Sequence, residues 1–189
     1  MPSAREIVYA VYGAWLLLRF EARGLTYFED SVPAFWRSFF AAVIVAPAYL
    51  VMTVTHLAKS QTEAGLLQAL AVELPAYVIL WTAFPLALFY ITRGIGKEDR
   101  FLIAVIALNW TAIIHVALSL PVHLVTQAQL LPPPIGDLLS LGLFVFLLIY
   151  EWFIVRTALA VGGLGAAGVV FLDVCLSFAI RAAADGTLQ

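Results

Sequence analysis

Charge is scarce in this chain. Only 12% of its 189 residues are Asp, Glu, Lys or Arg, where a soluble domain carries about a quarter. That leaves too little polar surface to solvate a globule of this length, so water is excluded as the main solvent. Cysteine occurs once, at Cys175, which excludes an internal disulfide and any multi-cysteine metal site. Set within an apolar stretch, Cys175 reads as a small buried hydrophobe. The chain also lacks a G-x-x-x-x-G-K-[ST] loop, an H-E-x-x-H pair, a G-x-S-x-G elbow and histidines four apart on one helix, so no catalytic motif points to an enzyme. The net charge of -2 argues against nucleic acid as a partner.

What is present is hydrophobic sequence. Residues of that class make up 63% of the chain and the mean hydropathy is +1.00. About 20 apolar residues cross a bilayer as a helix. Five stretches meet that length, at about 35–57, 64–92, 101–120, 138–161 and 163–181. Pro47 should kink the first, and Pro75 or Pro85 the second. The third should end near Pro121, and Pro132-Pro133-Pro134 should mark a loop over 127–137. The sequence predicts an all-α polytopic bundle of five spans forming one membrane domain.

An earlier apolar run, 7–18, reaches only about 18 Å as a helix. No small-residue cleavage site follows it, so it reads as a retained helix over 3–24. Ser3 and Glu6 have capping-box spacing. Arg5, Arg19 and Arg23 fall within about 40° of one another, and Ile7, Val11, Ala14 and Leu18 gather on another side. That predicts an amphipathic interfacial helix with arginines toward phosphates, although Leu16 lies near the arginines. A helix packed on the spans is the alternative.

Basic residues are unevenly distributed. With five spans, Arg5, Arg19, Arg23, Arg37, Arg93, Lys97, Arg100 and Arg156 fall on one side, and only Lys59 and Arg181 on the other. The positive-inside rule then predicts a multi-pass membrane protein with a cytoplasmic N-terminus and an external C-terminus. The eight basic residues are expected at lipid headgroups, with Arg156 snorkelling. The glycines of Arg93-Gly94-Ile95-Gly96-Lys97 read as a short turn rather than a phosphate loop.

A few polar residues interrupt the spans. Asp173 lies near the middle of the fifth, on a face with Gly165, Ala166, Val169 and Ser177 that suits close packing. An acid at that depth costs about 3 kcal/mol or needs a partner. Asn109, at matching depth, is its expected partner. Glu73 and His115 lie further out, and Glu151 lies toward the cytoplasmic end of the fourth span. Together they could form a proton or cation path, or each could fix helix register by hydrogen bonding. His115 is turned about 120° from Asn109, which argues against both facing one narrow pore. Glu151 and Arg156 diverge by about 140° and should not pair. His56 and His123 could meet at the outer surface, which is weak evidence for metal. No metal and no cofactor is expected.

The stretch Tyr150-Glu151-Trp152-Phe153-Ile154-Val155-Arg156-Thr157-Ala158-Leu159, with a glycine turn and a further span after it, resembles the C-terminal half of bacterial Yip-domain proteins. Phe35-Trp36-Arg37-Ser38-Phe39 at the head of the first span adds to the resemblance. It implies a small multispanning protein of the bacterial inner membrane, without the signatures of the vesicle-traffic members. Short loops, no soluble domain and no catalytic motif make the first functional expectation a non-enzymatic scaffold that organises a membrane complex or the bilayer. A small channel or proton/cation-coupled transporter using Asp173, Glu73, Asn109 and His115 is the alternative. An accessory subunit of a larger membrane enzyme is the third. Lipids are the expected partners, with a membrane-protein partner or a second copy of the chain left open.

Overall fold

The computed structural model describes residues 1–57 and 66–187, all helices and turns with no strand among them. In chain order the helices are α1 (Ala4–Leu18), α2 (Val32–Ser38), α3 (Phe40–Leu57), α4 (Leu66–Gly94), α5 (Phe101–Gln127), α6 (Pro133–Leu159) and α7 (Gly163–Gly186). Five segments are long and apolar enough to cross a membrane: Val32–Thr55, Leu67–Gly94, Glu98–Gln127, Pro133–Leu159 and Gly163–Gly186. The chain is a multi-pass integral membrane protein.

Helix starts follow local chemistry. The Ser3 hydroxyl accepts the Glu6 amide at 3.1 Å, and the Ser31 hydroxyl accepts the Ala34 amide at 3.2 Å, with a proline in the first turn of α2. The capping box at Ser3 is half made, because the Glu6 carboxylate turns to Arg37 at 2.8 Å instead. Two boundaries differ from the sequence reading. Helix α5 continues through Pro121 to Gln127. A proline costs one backbone hydrogen bond, which a membrane helix can re-satisfy locally. The proline run opens α6 at Pro133 rather than forming a loop, since the first-turn amides of a helix have no carbonyl to lose.

The helix α5 is the centre of the bundle. Of its most hydrophobic window 44% is buried, against 17–22% for the other four segments. It packs against α1, α2, α3 and α6, while α7 packs against α4 and α6. The shortest joins between α3 and α4 are polar and aromatic. The Tyr77 hydroxyl donates to the Ala42 carbonyl at 2.6 Å, the Tyr49 hydroxyl donates to Glu73 at 2.8 Å, and the two tyrosine rings lie 4.6 Å apart.

The N-terminal helix packs on the spans, as in the second of its two readings. Ala10, Ala14, Leu16 and Leu17 are buried against the bundle, and the Tyr150 hydroxyl donates to the Ala14 carbonyl at 2.8 Å. Val8, Tyr12 and Trp15 are exposed on the other side. One side of α1 therefore meets protein, and its other side carries exposed apolar residues. A two-turn 3-10 segment, Ala22–Tyr27, lies across α1 where Gly13 and Gly24 approach closely.

The arginines are largely engaged by neighbours. Arg37 pairs with both Glu6 and Glu29, at 2.8 and 2.9 Å, and so ties α1 to α2. Arg19 and Arg23 share Glu21, Arg100 pairs with Asp99, Arg5 lies over Tyr9, and Arg156 lies over Trp152. Arg93 closes α4, and Lys97 stands in the turn before α5. Cys175 is exposed on the outside of α7, not buried, because its side chain points away from the packed face.

Candidate functional site

The intramembrane polar residues divide between two places. Asn109 does not meet Asp173. Its amide donates to the Ser38 hydroxyl at 2.8 Å, and Ser38 donates to the Phe35 carbonyl at 2.7 Å. Both residues are buried, so this pair fixes α2 on α5. Ser38→Ala would leave the Asn109 amide without its acceptor and should cost about 1–3 kcal/mol. A lowered thermal midpoint in detergent is the expected readout, and an unchanged midpoint would remove Asn109–Ser38 as a structural join.

Asp173 meets Glu151 instead. Asp173 lies ten residues into α7 and Glu151 eight residues from the end of α6. At 1.5 Å per residue these are depths of about 15 and 12 Å from the same end of the bundle. Helices α6 and α7 pack as antiparallel neighbours, and the two carboxyl groups line the same hollows. Carboxylates only accept, so a hydrogen bond between them requires a proton on one. Glu151 is only 8% exposed, and its Oε1 has no hydrogen-bond partner. Buried polar oxygens are nearly always partnered, which marks this atom as unusual. Glu151 and Arg156 face different ways, as their spacing predicts, with Arg156 on Trp152.

The pair lines a cavity of about 300 Å³ enclosed by α3, α4, α5, α6 and α7. Its polar wall includes Asn109, His115, Glu151, Asp173, Ser177 and Arg181, and its apolar wall includes Tyr77, Trp81 and Phe84. Asn109 and His115 thus share one hollow despite their angular separation. The hollow is broad, reaching from Val105 to Val116 along α5, rather than a narrow pore. The His115 ring lies 5.3 Å from that of Tyr150.

A second hollow of about 390 Å³ adjoins the first at Tyr49, His115 and Arg181. It contains Glu73, Ser119, His123 and Asp185, which lie toward the end opposite the arginine-bearing turns. A third, of about 310 Å³, reaches Glu151 and Asp173 between α6 and α7. Arg181 touches all three, with its guanidinium 5.8 Å from the Tyr49 ring centre. Glu73 is bonded to Tyr49. His123 meets Thr55 at 2.8 Å, and the possible His56–His123 meeting falls on a side chain outside the described residues. Among the described residues no group of three or more His, Cys, Asp or Glu could hold a metal ion.

Tyr49, Tyr77, Trp81 and Arg181 are missing from the candidate residues read from sequence. Tyrosines in mid-span were the available signal, since a buried hydroxyl needs a partner. The glycine turn Gly162–Gly163 does serve packing: the Trp152 indole donates to the Gly163 carbonyl at 2.8 Å.

Fold and site together define a class, a five-span helical membrane protein with a carboxyl pair facing an internal hollow. No protein-family model, curated protein or solved structure matches the chain.

Proposed function

We propose that the protein is a small proton-coupled transporter, with Glu151 and Asp173 as its proton-loading pair. The observation that carries this reading is the unpartnered, buried Glu151 Oε1 beside Asp173 on the cavity wall. Intramembrane acids are costly and are kept where they serve ion routes. Two adjacent carboxyls can hold one proton between them, so the loaded pair buries a single charge, and its release leaves two carboxylates on a wall that also carries Arg181. His115 links this hollow to the one holding Glu73, which supports a route toward the far end of the bundle. With the N-terminus cytoplasmic, as the arginine distribution favours, that route leads outward.

The test is proton movement by the purified full-length chain in liposomes carrying a pH-sensitive dye and an imposed pH gradient. The gradient should decay faster than in protein-free vesicles once the membrane potential is clamped. Decay at the protein-free rate, with or without added lipophilic amine, would overturn the reading.

A second reading, a Yip-like scaffold, is favoured by the exposed Val8, Tyr12 and Trp15 on α1. It requires a stoichiometric membrane-protein partner on purification in mild detergent, lost when residues 1–24 are removed.

A further inference from the structure

The cavity is larger than a proton or an inorganic ion requires. At about 300 Å³ it has the size of a small-molecule site. Its two walls also differ chemically. The carboxyls of Glu151 and Asp173 come from α6 and α7, and the rings of Tyr77, Trp81 and Phe84 from α4. Trp81 is partly buried against the bundle core, 6.2 Å from Tyr77, and Tyr77 in turn lies 4.6 Å from Tyr49. Aromatic faces attract cations through the ring quadrupole, most strongly for Trp and for weakly hydrated ammonium groups. A buried carboxyl with an unfilled acceptor supplies the counter-charge. The same rings can cover the apolar part of the ligand.

We infer that the hollow binds an organic ammonium ion, its charged head at Glu151 and Asp173 and its apolar body on Trp81 and Tyr77. This rests on the proton-coupled reading and names its substrate class. An inorganic cation would gain little from the aromatic wall and would keep its water. An organic anion would meet two carboxyls. The titratable and charged groups that share the hollow with the pair are His115 from α5, Tyr49 from α3, Tyr77 from α4 and Arg181 from α7, with Glu73 in the adjoining hollow. Arg181 stands at the junction of the hollows, where it can repel a cation that has not reached the pair. Ammonium binding replaces the proton held by the two carboxyls. The proton leaves to solvent as the ammonium enters, so charge in the pocket balances and no bond is made or broken on the ligand.

The experiment uses the full chain in phosphatidylglycerol nanodiscs and benzyltrimethylammonium as probe, with heat and proton release both measured. Saturable binding with close to one proton released per probe is expected. Benzyl alcohol and sodium should compete weakly. Glu151→Gln should abolish binding, and Trp81→Leu should weaken it about tenfold while Trp81→Phe retains most of it. Size-exclusion profiles and helical circular dichroism check that each variant is folded, and Trp81→Phe decides the matter if Glu151→Gln is not. No saturable binding, or binding indifferent to both Glu151 and Trp81, overturns the inference. Proton flux in liposomes without ammonium binding would sink this inference alone, whereas carboxyl-dependent binding without flux would sink the transport reading alone. Because an ammonium head also occurs on lipids, the titration is repeated with phosphatidylethanolamine present. Competition then assigns the head to lipid, and undiminished binding assigns it to a free amine.

Discussion

Asp173→Asn should lower proton flux in reconstituted vesicles by roughly two orders of magnitude, the usual scale for losing a positioned proton-transfer group. The substitution changes charge and proton affinity but hardly changes shape. The asparagine amide can donate to Glu151 where the shared proton stood, so the α6–α7 join should survive with a thermal midpoint near that of wild type. That separation matters: a collapse of flux with an intact fold assigns Asp173 to proton handling, while a collapse of both assigns it to packing. Glu151→Gln should behave alike, because the pair acts as a unit, and the double variant should be little worse than either single one. Additive losses would mean that the two carboxyls work apart.

Gly24→Ala carries the largest expected effect on stability. A Cβ at Gly24 would fall 2.5 Å from the Gly13 carbonyl oxygen, and one at Gly13 would fall 2.8 Å from the Gly24 carbonyl oxygen. Both obstacles are backbone, so neither can rotate away. Overpacking of this kind costs about 1–3 kcal/mol, and here the upper end applies. The damage should centre on α1, whose Ala14 carbonyl holds Tyr150 and whose Glu6 holds Arg37. Gly142→Ala is the matched control. It lies within α6 with open space around it, and should gain about 0.5–1 kcal/mol from helix propensity. Opposite signs for the two glycines in detergent melts support the close α1 crossing. A neutral Gly24→Ala would contradict it.

These two sites differ in how far the sequence exposes them. Five spans follow from run length alone, because backbone hydrogen bonding in lipid leaves the chain few other choices. Depth is partly legible, since rise per residue places Asp173 and Asn109 at matching depth, with Glu151 toward the cytoplasmic end of its span. Depth does not say which helices are neighbours. Packing of α7 on α6 brings Glu151 to the hollow that Asp173 lines, and Ser38 takes Asn109. Helix α1 leaves two readings open for a related reason, because periodicity does not encode the close approach at Gly13 and Gly24 that holds it on the bundle. The aromatic wall was missed because Tyr77 and Trp81 are ordinary residues for a membrane helix until the acids opposite them are known.

The account rests on one proton shared by Glu151 and Asp173 within reach of water. Infrared difference spectroscopy on the purified chain in nanodiscs tests this most directly, through the C=O stretch of a protonated carboxylic acid. The account predicts such a band near neutral pH, shifting promptly when H2O is replaced by D2O, and altered in both Glu151→Gln and Asp173→Asn. A band that fails to exchange, or a spectrum with no protonated carboxyl from this pair, would contradict it.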